Sequence, residues 1–182
     1  MTVTAEKARE VAIETERLRL APLARDHANG PYVDWMNDSE IVRYLEARFA
    51  NQDVRSIADY IDRVNADDQL FMFGMFLKST GAHIGNIKLG PINREHRRAD
   101  VGFLIGDKSC WGQGYASEAI RAITEHAFGV LGLHKVTAGI YQPNEGSRRA
   151  LLKAGFVEEG YRPAQYLCDG EWVGEILVGR TA

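Results

Sequence analysis

Hydrophobic and polar residues first alternate at residues 15–20, where Leu18 and Leu20 interleave with Glu16, Arg17 and Arg19; this is a strand pattern. Helical material is expected over residues 25–45, interrupted near Gly30-Pro31 and restarted near Asp38-Ser39. The period then lengthens. Val54, Ile57, Ala58, Ile61 and Val64 fall on one helical face within residues 53–64, with Asn51 or Asp53 available as cap. Residues 70–77 form a dense apolar strand closed by Ser79-Thr80-Gly81, and residues 83–89 return as its hairpin partner. After a polar loop at 93–98, residues 99–105 alternate again, with Val101, Phe103 and Ile105 set against Asp100, Gly102 and Leu104.

The second half changes period. Ala116, Ala119, Ile120, Ile123, Ala127 and Leu131 make a helical stripe that Gly132 can terminate, and residues 136–141 read as a strand. Asn144 opens a short helix with Ser147, Ala150, Leu151 and Ala154 inward, ended by Gly155-Phe156 in the Schellman manner. A last hairpin pairs residues 164–168 with 172–178 around Asp169-Gly170. Strand, helix and strand across 99–141 form a crossover, so that pair should be parallel in an otherwise antiparallel meander. The fold class is therefore α/β (α+β): a mixed, mostly antiparallel sheet with helices on both faces.

A chain of 182 residues suits a single domain, spanning 1–182, with a flexible start at 1–14. A net charge of -3 argues against nonspecific nucleic-acid or anionic-membrane partners. Cys110 and Cys168 form no C-x-x-C pair, the first residues carry no apolar signal region, and no apolar run nears the ~20 residues of a membrane span. A cytoplasmic protein is expected.

The segment with chemical content is Trp111-Gly112-Gln113-Gly114-Tyr115-Ala116-Ser117-Glu118-Ala119, between a strand and the long helix. Glycines and small residues at a helix start leave backbone N–H groups uncovered, and with the helix dipole these bind a pyrophosphate without a cationic side chain. Plain turn chemistry is the alternative. A dinucleotide fold fits poorly: Ser117 stands where the third glycine would be, and no acidic residue ends the next strand.

These residues resemble the acyl-CoA pyrophosphate loop of the GNAT acetyltransferase superfamily, in the branch of the ribosomal-protein N-terminal alanine acetyltransferases. Asn144-x-x-Ser147 with Lys153-Ala154-Gly155-Phe156 is similar to that branch's second signature. Residues 15–23 are similar to its opening strand, and Trp35-Met36-Asn37-Asp38 to its first helical segment. Trp111 departs from the Gln or Arg that often begins the loop.

The resemblance implies an N-acetyltransferase using acetyl-CoA as cosubstrate, with a splayed parallel strand pair into whose gap the cofactor enters. Its pantetheine would pair with Phe103, Leu104 and Ile105, its pyrophosphate would lie on the loop (Trp111, Gly112, Gln113, Gly114, Tyr115, Ala116, Ser117), and Asn144 would bond the pantetheine arm. Phe103 or Leu104 would supply an oxyanion N–H. Ser147 and Tyr141 are the candidate proton donors to the leaving thiolate, and Asp100 the candidate base; each has a bland alternative as a helix support or an exposed strand residue. No metal or covalent intermediate is required. Glu118 is expected to complement the helix dipole, His83 and His134 to be solvated, and Cys110 to be structural, although it sits near a helix start of the kind that lowers a thiol pKa. The arginine-rich loop at 94–98 is expected to be solvated, or else to hold an acidic acceptor such as a nucleotide sugar. The acceptor is an amine, on a small molecule or a protein N-terminus, and a homodimer is left open. A noncatalytic acyl-CoA-binding or partner-binding module is the alternative function.

Overall fold

In the computed structural model, which describes residues 11–182, β1 (Ile13–Glu14) turns directly into β2 (Leu18–Pro22). Thr15 closes the turn: its N–H donates to the Leu18 carbonyl at 2.9 Å, and its Oγ1 accepts from the Leu18 N–H at 2.8 Å. The strand expected at 15–20 is thus shifted, because a Thr side chain that satisfies its own backbone favours a turn. Of the flexible start expected at 1–14, residues 1–10 lie outside the described residues, while Ile13 and Glu14 pair with Leu20 and Arg19.

A 3₁₀ turn (Arg25–Asn29), α1 (Tyr32–Asn37) and a second 3₁₀ turn (Glu46–Phe49) follow. No α-helix restarts at Asp38-Ser39. The Asp38 carboxylate instead accepts from the N–H groups of Glu40 and Ile41, at 2.9 and 3.3 Å, offering the backbone a turn in place of helix. α2 (Val54–Ala66) opens with a reciprocal box: the Ser56 N–H donates to Asp53 at 2.7 Å and the Asp53 N–H to the Ser56 hydroxyl at 2.9 Å.

β3 (Phe71–Leu77), β4 (His83–Leu89) and β5 (Arg98–Ile105) form the expected meander. α3 (Tyr115–Gly129) then crosses to β6 (Lys135–Tyr141), parallel to β5. α4 (Glu145–Lys153) closes as a Schellman motif, with Phe156 N–H on Leu151 O at 3.1 Å, Gly155 N–H on Leu152 O at 3.0 Å and Gly155 at φ +93°. The final hairpin is longer than expected. β7 (Val157–Cys168) starts at Val157 rather than 164, and β8 (Glu171–Thr181) inserts between β6 and β7. As an edge strand exposed along most of its length, β7 carries no alternating pattern to announce residues 157–163.

The eight strands form one sheet in the order β1-β2-β3-β4-β5-β6-β8-β7. α3 and α4 cover one face through Ile120, Ile123 and Leu151, which pack with Leu18, Ile87, Val136 and Val178. α1 and α2 cover the other face over the first strands, with Trp35, Ile57, Ile61 and Met72 buried together. Each such side chain contributes ~1.5–3 kcal/mol on leaving water.

Candidate active site

The β5–β6 ladder contains only the pairs Arg98–Lys135, Ala99–Val136 and Asp100–Thr137. Beyond it, β5 stays paired with β4 as far as Ile105, and β6 with β8 as far as Tyr141. The strands therefore part and leave a slot. The Asp100 carbonyl accepts from Gly90 on the β4 side of β5, and the Leu104 carbonyl also turns toward Gly85 on β4. By strand alternation the backbone groups of Val101, Phe103 and Ile105 face the slot. Trp111 takes one of them, its indole Nε1–H donating to the Ile105 carbonyl at 2.8 Å.

The slot runs into a cavity of about 550 Å³ lined by Phe103, Leu104 and Ile105, by Cys110, Trp111, Gly112 and Gly114 to Ser117, and by Asn144 and Ser147. Gly112 and Gly114 sit at φ +72° and +84°, where a side chain is strained, and a Cβ at Gly112 would project into open space. These are bare backbones at the mouth of α3, not turns buried against protein. Residues of this kind fit a diphosphate, which needs close approach to first-turn amides.

Arg17 buttresses this loop. Glu118 receives the Thr15 hydroxyl at 2.6 Å, the Arg17 N–H at 2.7 Å and the Arg17 Nε–H at 2.7 Å. The same guanidinium donates to the Gln113 carbonyl at 3.0 Å and lies 4.4 Å over the Tyr115 ring. Burial alone would raise the Glu118 pKa, but these donors hold its carboxyl below the usual range. Glu118 is thus a structural tie as well as a dipole partner, and Arg17 supplies a cation at the loop although Trp111 replaces the loop's frequent basic residue.

On the opposite face of β5 lies a second cavity of about 690 Å³, bounded by α1, α2, the 3₁₀ turn at Glu46–Phe49 and β4. Tyr32, Glu46, Tyr60, Arg63, Asn86 and Lys88 are among its lining residues. Leu45, Phe103 and Leu104 border both cavities, so the two meet at the slot.

The profile of the acetyltransferase (GNAT) domain matches residues 17–157. The chain belongs to the GNAT acetyltransferases. The uncharacterized N-acetyltransferase YoaA of Bacillus subtilis is 31% identical over 154 residues, which cover 81% of this chain and 84% of YoaA. Two solved structures share the fold. Mycobacterium smegmatis RimJ in complex with CoA-disulfide superposes with a TM-score of 0.83 at 22% identity, covering 96% of this chain and 89% of RimJ. Vibrio cholerae spermidine N-acetyltransferase in complex with CoA and spermine gives 0.80 at 22%, covering 91% and 95%.

Within this acetyltransferase, Phe103, Leu104, Ile105, Trp111, Gly112, Gly114, Tyr115, Ala116, Ser117, Asn144 and Ser147 come together around the first cavity. Gln113 does not line it. Its side chain folds back to the Ser109 carbonyl at 2.5 Å while its own carbonyl holds Arg17. The Asn144 Oδ1 caps α4 by accepting from the Ser147 N–H at 3.1 Å, which leaves its amide N–H groups for the slot. The two catalytic candidates Asp100 and Tyr141 also fall outside the cavity. Asp100 is exposed at the closed end of the slot, where the Thr137 hydroxyl donates to it. Tyr141 is buried, its phenol donating to Glu46 at 2.6 Å and accepting from Arg48 at 2.9 Å.

Cys110 is buried, and burial pushes its thiol up, not down. One further expectation is corrected. His83 is not solvated: its ring stacks on Phe76 at 4.7 Å, meets Trp35 at 4.9 Å, and its Nε2 lies 2.8 Å from the Asn86 amide oxygen. Burial first, then His27, lowers its pKa against the effect of these hydrogen bonds, which favours the neutral ring. The arginine-rich loop lines neither cavity; Arg94 is spent on the Asp68 carbonyl at 2.9 Å. Glu46 and Arg17 escaped the sequence reading, because each acts through a partner far along the chain.

Proposed function

We propose that this acetyltransferase moves the acetyl group of acetyl-CoA onto a primary amine by direct attack, the amine being a small molecule or the N-terminus of a polypeptide. The observation that carries this reading is the slot with its bare glycine loop at one end and a separate cavity meeting it at Phe103 and Leu104. One cavity suits the thioester's carrier and the other its acceptor. The neighbour solved with CoA and spermine is a precedent for two such ligands on this fold.

In this mechanism the pantetheine lies along Phe103 to Ile105 and the pyrophosphate on Gly112 to Ser117, with Asn144 holding the arm. The amine nitrogen attacks the thioester carbonyl carbon, and the Phe103 N–H, facing the slot, donates to the oxygen on which negative charge develops. Ser147 gives its hydroxyl proton to the departing sulfur and takes one in turn from the nitrogen that has attacked. The two buried, unbridged thiols suit a reducing cytoplasm as the setting.

The test is release of free thiol from acetyl-CoA in the presence of spermidine, glucosamine, an aminoglycoside or an alanine-initiated peptide. Release that depends on one of these amines is expected, and no release above background with any of them would contradict the reading.

A further inference from the structure

Direct attack needs a neutral amine, so an acceptor that arrives as an ammonium must lose a proton at the site. The carboxylates lining the two cavities are Glu40, Glu46 and Asp59. Glu40 is held by Lys108 at 2.7 Å, and Asp59 by Arg25 at 2.9 Å. Glu175, nearby on β8, is buried and committed to Arg162 at 2.8 Å and to the Tyr166 hydroxyl at 2.7 Å. Asp100 is bound to Thr137 outside both cavities. Among the described residues, Glu46 is the lining carboxylate that makes no ion pair.

Its placement is also the right one. Glu46 lines the acceptor cavity, and the residue before it, Leu45, borders both cavities where they meet. Its Oε1 accepts the Tyr141 phenol at 2.6 Å. That phenol cannot swing away: Arg48 donates to it at 2.9 Å, and the Tyr141 ring lies stacked on Tyr166 at 4.0 Å and 10°. Burial, then the bond to Glu46, raises the Tyr141 pKa, so the phenol keeps its proton and stays a donor. One carboxylate oxygen is thereby fixed and the other is left for a ligand.

We propose that Glu46 takes the proton of the acceptor ammonium and that Tyr141 is its positioning residue; this rests on the amine-acceptor reading above. An N–H bond of the ammonium breaks, the proton passes to the second oxygen of Glu46, and the freed electron pair forms the bond to the thioester carbon. The C–S bond then breaks, and the nitrogen's second proton, relayed through Ser147, goes to the sulfur, which leaves as a thiol. Glu46 is exposed and returns its proton to solvent. Tyr141 on β6 and Tyr166 on the hairpin act on it directly, Arg48 on its own turn binds the same Tyr141 phenol, and Lys88 on β4 with Asp59, Tyr60 and Arg63 on α2 line the same cavity.

The experiment measures kcat/KM against pH on the full chain, with acetyl-CoA and whichever of spermidine, glucosamine or an alanine-initiated peptide is turned over. In the wild type kcat/KM should be nearly flat over the range below the amine's own pKa, because the ammonium is deprotonated on the enzyme. Glu46→Gln should lose about a hundredfold and rise about tenfold per pH unit over that range, since only free amine is then consumed. Glu46→Asp should recover part of both, and Tyr141→Phe should show the same change of slope to a smaller degree. Unchanged CoA affinity by calorimetry shows that the variants are folded. A Glu46→Gln rate within about threefold of wild type, or a raised KM alone with the wild-type profile, overturns the assignment. A wild type that turns over none of the probes overturns the amine-acceptor reading, and the assignment with it.

Discussion

Over Arg98 to Asp100, β5 holds β6 in a regular parallel ladder, whereas from Val101 to Ile105 the same strand pairs with no strand on that side. Each strand is committed to its outer neighbour, β5 to β4 and β6 to β8 over seven paired positions, so the two are free to diverge once their short common ladder ends. The closed end is an ordinary piece of sheet, with Asp100 and Thr137 joined across it. The open end exposes backbone donors and acceptors that a folded chain normally pairs, at a net value of ~1 kcal/mol each. Such groups persist unpaired only where water or a ligand reaches them. On the function proposed above, the difference between the two ends is what turns a sheet into a binding site.

The largest expected effect comes from filling the mouth of the open end. Gly114→Glu puts a bulky anion at φ +84°, where the diphosphate should lie, and should weaken CoA binding at least about a hundredfold by calorimetry. Far-ultraviolet circular dichroism should stay native. Unchanged affinity would move the pyrophosphate elsewhere.

A smaller effect should follow from loosening the loop's anchor. Glu118→Gln weakens the three hydrogen bonds to Thr15 and Arg17 and should cost about 1–2 kcal/mol in urea unfolding at neutral pH. Because the folded Glu118 pKa lies below its unfolded value, the unfolded chain binds the proton more readily. The contribution is present above the unfolded pKa of ~4.3 and is lost as pH falls through the folded one. The gap between wild type and variant should therefore shrink on acidification, and a gap that widens would contradict the clamp. Smallest is Asn144→Ala. It removes the α4 cap for about 1 kcal/mol of stability and should weaken CoA binding as well; loss of stability with unaltered CoA affinity would leave Asn144 as a cap alone.

The same contrast separates what the sequence carries locally from what it does not. The Asp53 cap, the Gly155-Phe156 ending and the Asp169-Gly170 turn are written in adjacent residues, and the glycine loop announces itself by composition. The slot could be anticipated only through the family resemblance, since nothing in residues 99–105 or 136–141 says where a ladder stops. Arg17 meets Glu118 across 101 positions and Tyr141 meets Glu46 across 95, and no periodicity encodes either pair. The start of β7 is not legible because an exposed edge strand interrupted by Pro163 lacks alternation.

The contrast can be measured amide by amide. Hydrogen exchange with and without saturating CoA should show the Phe103 and Ile105 amides slowing by at least about tenfold on binding, as the pantetheine takes the place of the missing strand. The Ala99 and Asp100 amides, in the closed ladder, should hardly change. Equal protection of Phe103 and Ile105 in the two states would mean that CoA does not enter between β5 and β6.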